Sequence, residues 1–462
     1  MEKIRLLHTN DIHSHLEKWP KIRRFLQERQ KTTGNESTLT VDLGDFCDRW
    51  HPLTEATDGK ANTQLMKQAH YDATTIGNNE GIGNSKSQLN QLYKEADFPV
   101  ILANLFDRST LQLPEWANEH KIITTKEGTK IGLVGATAPF PLSYTPNGWD
   151  ARNWSDILPN IVQFLRKKVD ILVLLSHLGI NEDRQIAKEL PEFDVIIGSH
   201  THHLFPNGEQ VGNTLLAAAG RFGEYVGEVT LFLDDYHQLT KARADTFATE
   251  EMLSYPEDEA EVFHYTDKGK KLLQEKKVAW LPFNLGVDQQ EHCLVDETLA
   301  AVKERGETEA AILNTGLFLD DLKKGVVNQD ELHMILPHPM HLIRVTLKGS
   351  DVTRLILEME KNRHFLRNYP IRGMGFRGKI FGQIVYSGIQ YDETNHVVRW
   401  LNKAIDPQKF YSFTTVDHFM FIPFFPTIEI AGQTEFLFPE FIRTVLGDYL
   451  AKRYPLSVEN KI

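Results

Sequence analysis

Two cysteines, Cys47 and Cys293, are too few for a disulfide framework or a cysteine-rich zinc site. No apolar run reaches the roughly 18–20 residues of a membrane span. Positive charge is also short: 51 Lys and Arg face 63 Asp and Glu, leaving a net charge of −12. A nucleic-acid polymer or an anionic bilayer selects the opposite balance, so neither is expected as a partner. The first residues, Met1-Glu2-Lys3-Ile4-Arg5, carry no basic-then-apolar leader and run straight into polar motifs, so a cytoplasmic location is expected. Internal repeats and low-complexity tracts are absent as well. What remains is ordinary globular composition, 41% apolar and 25% charged, which argues against wholesale disorder. At 462 residues the chain exceeds one compact core, and two or three are expected.

The first 235 residues alternate short β-branched runs with amphipathic helical patterns. Strands are expected at 4–9, 38–43, 73–76, 100–103, 131–135, 171–176, 195–198, 214–218 and 227–233. Helices are expected at 21–30, 63–69, 86–95, 157–168 and 184–190. This is an α/β pattern with some antiparallel pairing toward its end. In open α/β sheets, ligands collect beyond the carboxyl ends of the strands.

Polar clusters occupy those ends. They are Asn10-Asp11-Ile12-His13, Gly44-Asp45-Phe46-Cys47-Asp48, Gly77-Asn78-Asn79-Glu80, Ser176-His177 and Gly198-Ser199-His200-Thr201-His202. Carboxylate oxygens and imidazole nitrogens suit Mn, Zn, Co or Fe. In Asp11-x-His13 and His200-x-His202, two residues apart on extended chain, the side chains point one way and can clamp one ion. A lone His at a strand end is ordinarily a hydrogen-bonded structural residue. Five clusters, each just past a strand, outweigh that reading.

The opening Leu6-Leu7-His8-Thr9-Asn10-Asp11-Ile12-His13-Ser14-His15, with the four clusters after it, resembles the calcineurin-like metallophosphoesterase superfamily in its bacterial and animal 5′-nucleotidase branch. The resemblance implies a four-layer α/β sandwich, a second α+β domain and a site for two divalent metal ions. Carried over residue by residue, Asp11, His13 and His202 would hold the first ion. Asn78, His177 and His200 would hold the second, and Asp45 would bridge both. A two-ion site neutralises phosphoryl oxygens and lowers the pKa of water for in-line attack on phosphorus. Asp48, Glu80 and Asn10 are candidates for orienting the imidazoles. Cys47, inside the second cluster, reads as a small buried residue.

The sequence departs from the family at one place that matters. Where the family has Gly-Asn-His-Glu-x-Asp, this chain has Gly77-Asn78-Asn79-Glu80-Gly81-Ile82. The His that contacts phosphate is Asn79 and its Asp partner is Ile82. Asn79 can donate a hydrogen bond to a phosphate oxygen but is no acid at neutral pH. A positioned acid–base group contributes about 10²–10⁴-fold, so the rate is expected to fall without removing the nucleophile. His15 and His203, each beside a ligand motif, could replace it or could be solvated.

Residues 236–280 are strongly charged and read as a linker helix; a domain boundary is expected near 280. Beyond it the pattern is mixed. Helices are expected at 295–304 and 351–361, a helix or turn at 331–336, and strands at 310–313, 342–347, 381–386, 397–401 and 410–414. Residues 281–462 faintly resemble the family's substrate-specificity domain. Asn314 is retained, the motif's Arg is Leu319, the first base-stacking Phe is His338, and the second falls near His418 or Phe419. Imidazole can still stack on a base, with less area than a phenyl ring. Arg344, Arg367, Arg372 and Arg377 are candidates for phosphate binding, the last two on a glycine-rich loop that also reads as merely exposed. His333, His338 and His341 invite a third metal site, although no carboxylate completes it. The aromatic run Phe419, Phe421, Phe424 and Phe425 reads as packing.

The expected activity is divalent-metal-dependent hydrolysis of a phosphate ester or anhydride, with a small-molecule nucleotide as substrate. The rivals are a phosphodiesterase acting on a non-nucleotide substrate and a catalytically weak nucleotide-binding regulator. Metal identity and oligomeric state are left open.

Overall fold

The computed structural model describes residues 2–31, 36–371, 373 and 375–456. The chain divides into two compact units, Met1–Gly269 and Lys270–Ile462.

Two sheets make the first unit. One runs in the order Leu239–Ala248, Tyr225–Leu233, Glu2–Thr9, Glu36–Asp42, Ala73–Thr74, Val100–Ile101 and Ala117–Asn118. The other runs Glu209–Val211, Thr214–Ala217, Val195–Gly198, Ile171–His177, Lys130–Thr137 and His120–Thr124. Strand Glu2–Thr9 pairs parallel with Glu36–Asp42 and antiparallel with Tyr225–Leu233. Strand Ile171–His177 is parallel to both its neighbours, as its unbroken apolar run demands.

Three apolar clusters turn the sheets into four layers. Leu6, Val41 and Val229 from one sheet meet Leu133, Val173 and Ile197 from the other. The first sheet's outer face is covered through Trp19, Ile22 and Leu26 of helix Trp19–Arg29. The second is covered through Leu158, Val162 and Ile186 of helices Trp154–Leu165 and Ile180–Glu189. Each helix buries one stripe and exposes the other, the pattern of a surface helix over a core.

Residues 239–248 are a strand, not part of the linker helix expected over 236–280. Only Ala244 is fully buried in it; Lys241, Arg243 and Asp245 charge one face, and the other offers the core little more than Ala242 and Ala244. An edge strand guarded by charge reads from sequence as polar linker. Helix Pro256–Gln274 does follow, and the division between units falls inside it. Within the first unit, Arg23 makes an ion pair with Glu261, and Arg24 holds Asp258 while lying 4.5 Å over the Tyr255 ring.

The second unit is built on a five-stranded sheet, Ile384–Ser387, Ala310–Asn314, Phe410–Val416, His341–Lys348 and Gln433–Phe441. Helices Leu294–Gly306, Gly349–Leu366 and Ile442–Arg453 contribute Leu299, Val352, Leu355 and Leu446 to its single core. The final strand and helix were not expected: the helix buries residues on several sides and shows no one-sided stripe.

The two sheets of the first unit touch where strand Lys130–Thr137 passes Val100–Ile101. Ala103 N–H donates to Gly135 O at 2.8 Å, and a Cβ on Gly135 would stand 1.9 Å from Ile101 O. Neither backbone can yield without parting the sheets. Gly135→Ala should therefore lower the unfolding free energy of the first unit by about 1–3 kcal/mol, read from urea denaturation.

Candidate metal centre

The strand-end loops converge because they are stitched to one another. Asp11 N–H donates to Gly44 O at 3.1 Å, His13 N–H to Asp45 O at 2.7 Å and Ser14 N–H to Phe46 O at 2.9 Å. Gly44 and Gly77 make the next contact possible: a Cβ on the first would meet Gly77 N at 2.2 Å, and one on the second would meet Asp45 Oδ1 at 2.0 Å. The buried Glu80 carboxylate completes the stitching by accepting N–H bonds from Asp45 (2.9 Å), Cys47 (2.8 Å) and Gly77 (2.9 Å).

Extended chain does not aim the ligands, contrary to the expectation from spacing. Asp11, His13, Asp45, His200 and His202 all have φ between 49° and 72°. Asp and His tolerate this left-handed region better than most residues, and such clustered strain marks functional sites.

Six side chains form two groups. Asp11, His13 and His202 bring their donor atoms within 4.8 Å of one another, and so do Asp45, His177 and His200. His13 Nε2 faces His202 Nε2 at 3.3 Å. Asp45 Oδ2 lies 3.5 Å from His13 Nε2 and 3.4 Å from His177 Nε2, so it stands between the groups. The seventh residue, Asn78, sits between Gly77 and Asn79, which both lie against Asp45. Among buried atoms without a hydrogen-bond partner are Asn78 Oδ1 and His177 Nε2, each a natural donor to a cation. Buried polar atoms left unpaired in this way fit the divalent ions that the donor set suits.

Neighbours fix the tautomers. His13 Nδ1 meets Asp48 Oδ2 at 3.1 Å, and His177 Nδ1 donates to Leu43 O at 2.7 Å, which leaves each Nε2 free to ligate. Asn10 works on Asp11 and on backbone rather than on an imidazole, donating to Asp11 Oδ2 and Gly220 O. Ser199 Oγ donates to Asp11 Oδ2 at 2.7 Å. Asn79 is committed within the site: its backbone N–H and its Nδ2 both donate to Asp45, at 2.8 and 2.7 Å. In this arrangement it positions Asp45, while its Nδ2 also lies 3.4 Å from His13 Nδ1. His15 pairs with Glu17 and His203 with Thr201.

Charge is stored in the centre. Burial opposes ionisation of Asp45, yet His177 and His13 hold it well below the usual carboxylate range. Burial likewise opposes the charged form of His177, and Asp45 overcomes it, pushing the imidazole up to about 10. Burial, then the charge on His177, brings His200 down to about 4.

Several side chains around the centre escaped the sequence reading. Phe222 stands 5.7 Å from the His13 ring, Phe140 stands 5.6 Å from His200, and Trp50 Nε1 donates to His13 O at 2.8 Å. No motif announces them; they are neighbours only in space.

The substrate residues expected in the second unit are placed differently. His338 is fully buried: Nε2 donates to Leu317 O at 2.6 Å, Nδ1 accepts from Arg377 N–H at 2.9 Å, and Phe376 stacks on its face. His418 is also fully buried, edge-on to Phe376 and stacked on Phe419, with neither nitrogen partnered. Neither ring offers a face to a ligand: both are buried, with Phe376 stacked on His338 and Phe419 on His418. Asn314 is buried, with Nδ2 on Phe381 O at 2.6 Å. Arg377 Nη1 turns to Phe376 O, and Arg372 lies outside the described residues. Arg344 pairs with Glu435 at 2.9 Å. Arg367 lines a cavity of about 780 Å³ with Arg363, Tyr386 and Tyr391. The three-histidine site does not assemble: His338 is used as above, and His341 Nδ1 faces Glu440 O.

Known proteins resemble this chain in both units. The family model for calcineurin-like phosphoesterase matches residues 4–204, and that for the 5′-nucleotidase C-terminal domain matches residues 278–421. The uncharacterized metallophosphoesterase YunD of Bacillus subtilis is 37% identical over 465 residues, covering 98% of this chain and all of that one. The chain belongs to the calcineurin-like metallophosphoesterases, in their 5′-nucleotidase branch. A metallophosphoesterase of this family is a phosphoric ester hydrolase, and the family implies divalent metals. Two solved structures share the fold. The 5′-nucleotidase precursor of Thermus thermophilus has a TM-score of 0.57 at 19% identity, over 98% of this chain and 97% of that one. The NAD nucleotidase of Haemophilus influenzae has 0.65 at 15%, over 98% and 96%.

Asp45→Ala removes the carboxylate that stands between the two groups. The variant should bind fewer than two equivalents of manganese by elemental analysis and lose at least about 10²-fold in hydrolysis. A second expectation concerns Asp417, whose carboxyl burial pushes up to about 7. A raised carboxyl pKa adds stability that is present below the unfolded value of about 3.9 and lost as pH climbs to about 7. Asp417→Asn, which mimics the protonated form and keeps an acceptor for His341 N–H, should leave the melting temperature unchanged near pH 4 and raise it above pH 7.

Proposed function

We infer that the protein is a divalent-metal-dependent hydrolase of small-molecule nucleotides, and that it favours phosphoanhydride bonds over simple monoesters. The supporting observation is the pair of residue groups meeting at Asp45 Oδ2, with Asn78 Oδ1 nearby buried and without a hydrogen-bond partner. Bound there, two divalent cations would supply the charge that neutralises phosphoryl oxygens and would lower the pKa of water. The chain does the rest. Asp48 and Leu43 O aim two imidazoles, Asn79 and Glu80 hold the Asp45 loop, and Asn10 and Ser199 hold Asp11.

Preference for anhydrides follows from the missing acid. Asn79 donates to Asp45 and carries no titratable proton. An alkoxide leaving from a nucleoside monophosphate needs a proton in the transition state, whereas a phosphate leaving group, whose second pKa is about 6, does not. A second reading, a phosphodiesterase for substrates without a base, draws support from the covered His338 and His418 rings.

One side-by-side assay addresses both. With Mn²⁺ present, a nucleotide sugar should be cleaved with kcat/KM at least about tenfold above that of the matching 5′-mononucleotide, and a chelator should abolish both. Strong preference for the monophosphate would refute the first reading. Equal cleavage of a base-free aryl diester and the nucleotide sugar would favour the second. Bound nucleotide without metal or turnover would point to a regulator instead.

A further inference from the structure

Arg221 stands at the edge of the first ligand group. It is exposed, its Nη1 is 3.4 Å from His202 Nδ1, and its guanidinium lies 4.6 Å over the Phe222 ring. No carboxylate of the described residues is within ion-pair distance of it, although other arginines of this unit are paired: Arg184 with Glu209, Arg243 with Asp245. In a chain with net charge −12, a bare guanidinium beside a metal ligand is out of keeping with its surroundings.

The next residue, Phe222, is strained. Its φ is 55°, a conformation that suits glycine and burdens a bulky side chain. The strain is held by its N–H, which donates to Asp11 O at 2.7 Å, and by its ring, which packs 4.1 Å from His15 and 6.2 Å from His202. The backbone at this point would be served better by glycine. What the phenyl ring adds is a flat support for the Arg221 fork, leaving its edges free.

Tautomer chemistry frees the guanidinium further. A His202 that offers Nε2 to a cation keeps its proton on Nδ1, the atom toward which Arg221 points. Arg221 then has no acceptor there, and its N–H fork is available to a ligand at the lip of the centre.

We propose that Arg221, carried on Phe222, is a binding subsite for a second phosphate, the one that leaves when a phosphoanhydride is cleaved. The inference rests on the phosphoesterase reading above and names the chemistry that would make it select anhydrides. In the reaction, water oxygen bonds to the attacked phosphorus and the bridging P–O bond breaks. The electron pair goes to the departing phosphate, and water's protons pass to solvent. Arg221 binds that departing group before and after the bond breaks. It is a binding residue and moves no proton.

The full-length chain loaded with Mn²⁺ tests this, as wild type, Arg221→Ala and Arg221→Lys. By calorimetry, Arg221→Ala should weaken binding of methylenediphosphonate, which cannot be hydrolysed at its bridge, by about 10–100-fold, and that of inorganic phosphate by less than about threefold. Arg221→Lys, a point charge without the fork, should recover only part of the loss. The ratio of kcat/KM for a nucleotide sugar to that for a bis-aryl phosphodiester should fall at least about tenfold in Arg221→Ala. Equal weakening of both ligands, or no weakening of the diphosphonate, would overturn the proposal, as would a drop in bound manganese that accounts for the loss. If the wild type cleaves neither substrate, the functional reading fails, and the diphosphonate measurement still decides the role of Arg221.

Discussion

One buried carboxylate organises the catalytic end of the first unit. Glu80 accepts backbone N–H groups from Asp45, Cys47 and Gly77, and so ties the loop after one strand to the loop after the next. Inside a protein, unpaired N–H groups cost more than a surface bond returns, so three of them directed at one carboxylate are a strong constraint. Asp45 can stand between two ligand groups because its own backbone is pinned in this way. Asn79, one residue before Glu80, then holds the side chain of Asp45 from the other direction. The centre is thus assembled by backbone N–H groups that converge on two buried carboxylates, Glu80 and Asp45.

Much of this architecture was legible in the residues. The strand-end clusters identified the loops. The strands leading into them, Glu2–Thr9, Glu36–Asp42, Ala73–Thr74, Ile171–His177 and Val195–Gly198, lie within a few residues of where they were expected, because β-branched runs flanked by polar clusters are strong signals. What sequence could not supply was the backbone geometry. Asp11-x-His13 and His200-x-His202 look like extended pairs, and are in fact left-handed turns held by bonds from distant loops. Spacing alone does not distinguish the two. Glu80 was readable as a candidate for orienting an imidazole; that it binds three N–H groups depends on where Asp45 and Cys47 lie in space. Phe140, Phe222 and Arg221 sit in no motif, and only folding brings them to the centre.

The second unit shows the opposite balance. Its resemblance to a specificity domain led to His338 and His418 as stacking residues by position. The structure buries both, with Phe376, from a loop rich in glycine, stacked on His338 and Phe419 on His418. Aromatic and imidazole side chains serve equally well as core and as ligand platform, and no local pattern separates the two uses. Strand Leu239–Ala248 illustrates the same limit for secondary structure: paired on one side only and charged on its exposed face, it has the composition of a tether.

The left-handed backbone at Asp11, His13, Asp45, His200 and His202 has an evolutionary corollary. Each non-glycine residue held in this region costs the folded chain on the order of 1–3 kcal/mol. Glycine at any of these five positions would relax the local backbone and at the same time delete the side chain held there, so backbone comfort alone does not account for the residues present. A relative with no use for those side chains would be free to place glycine at these turns, and its sequence should depart from this one there first.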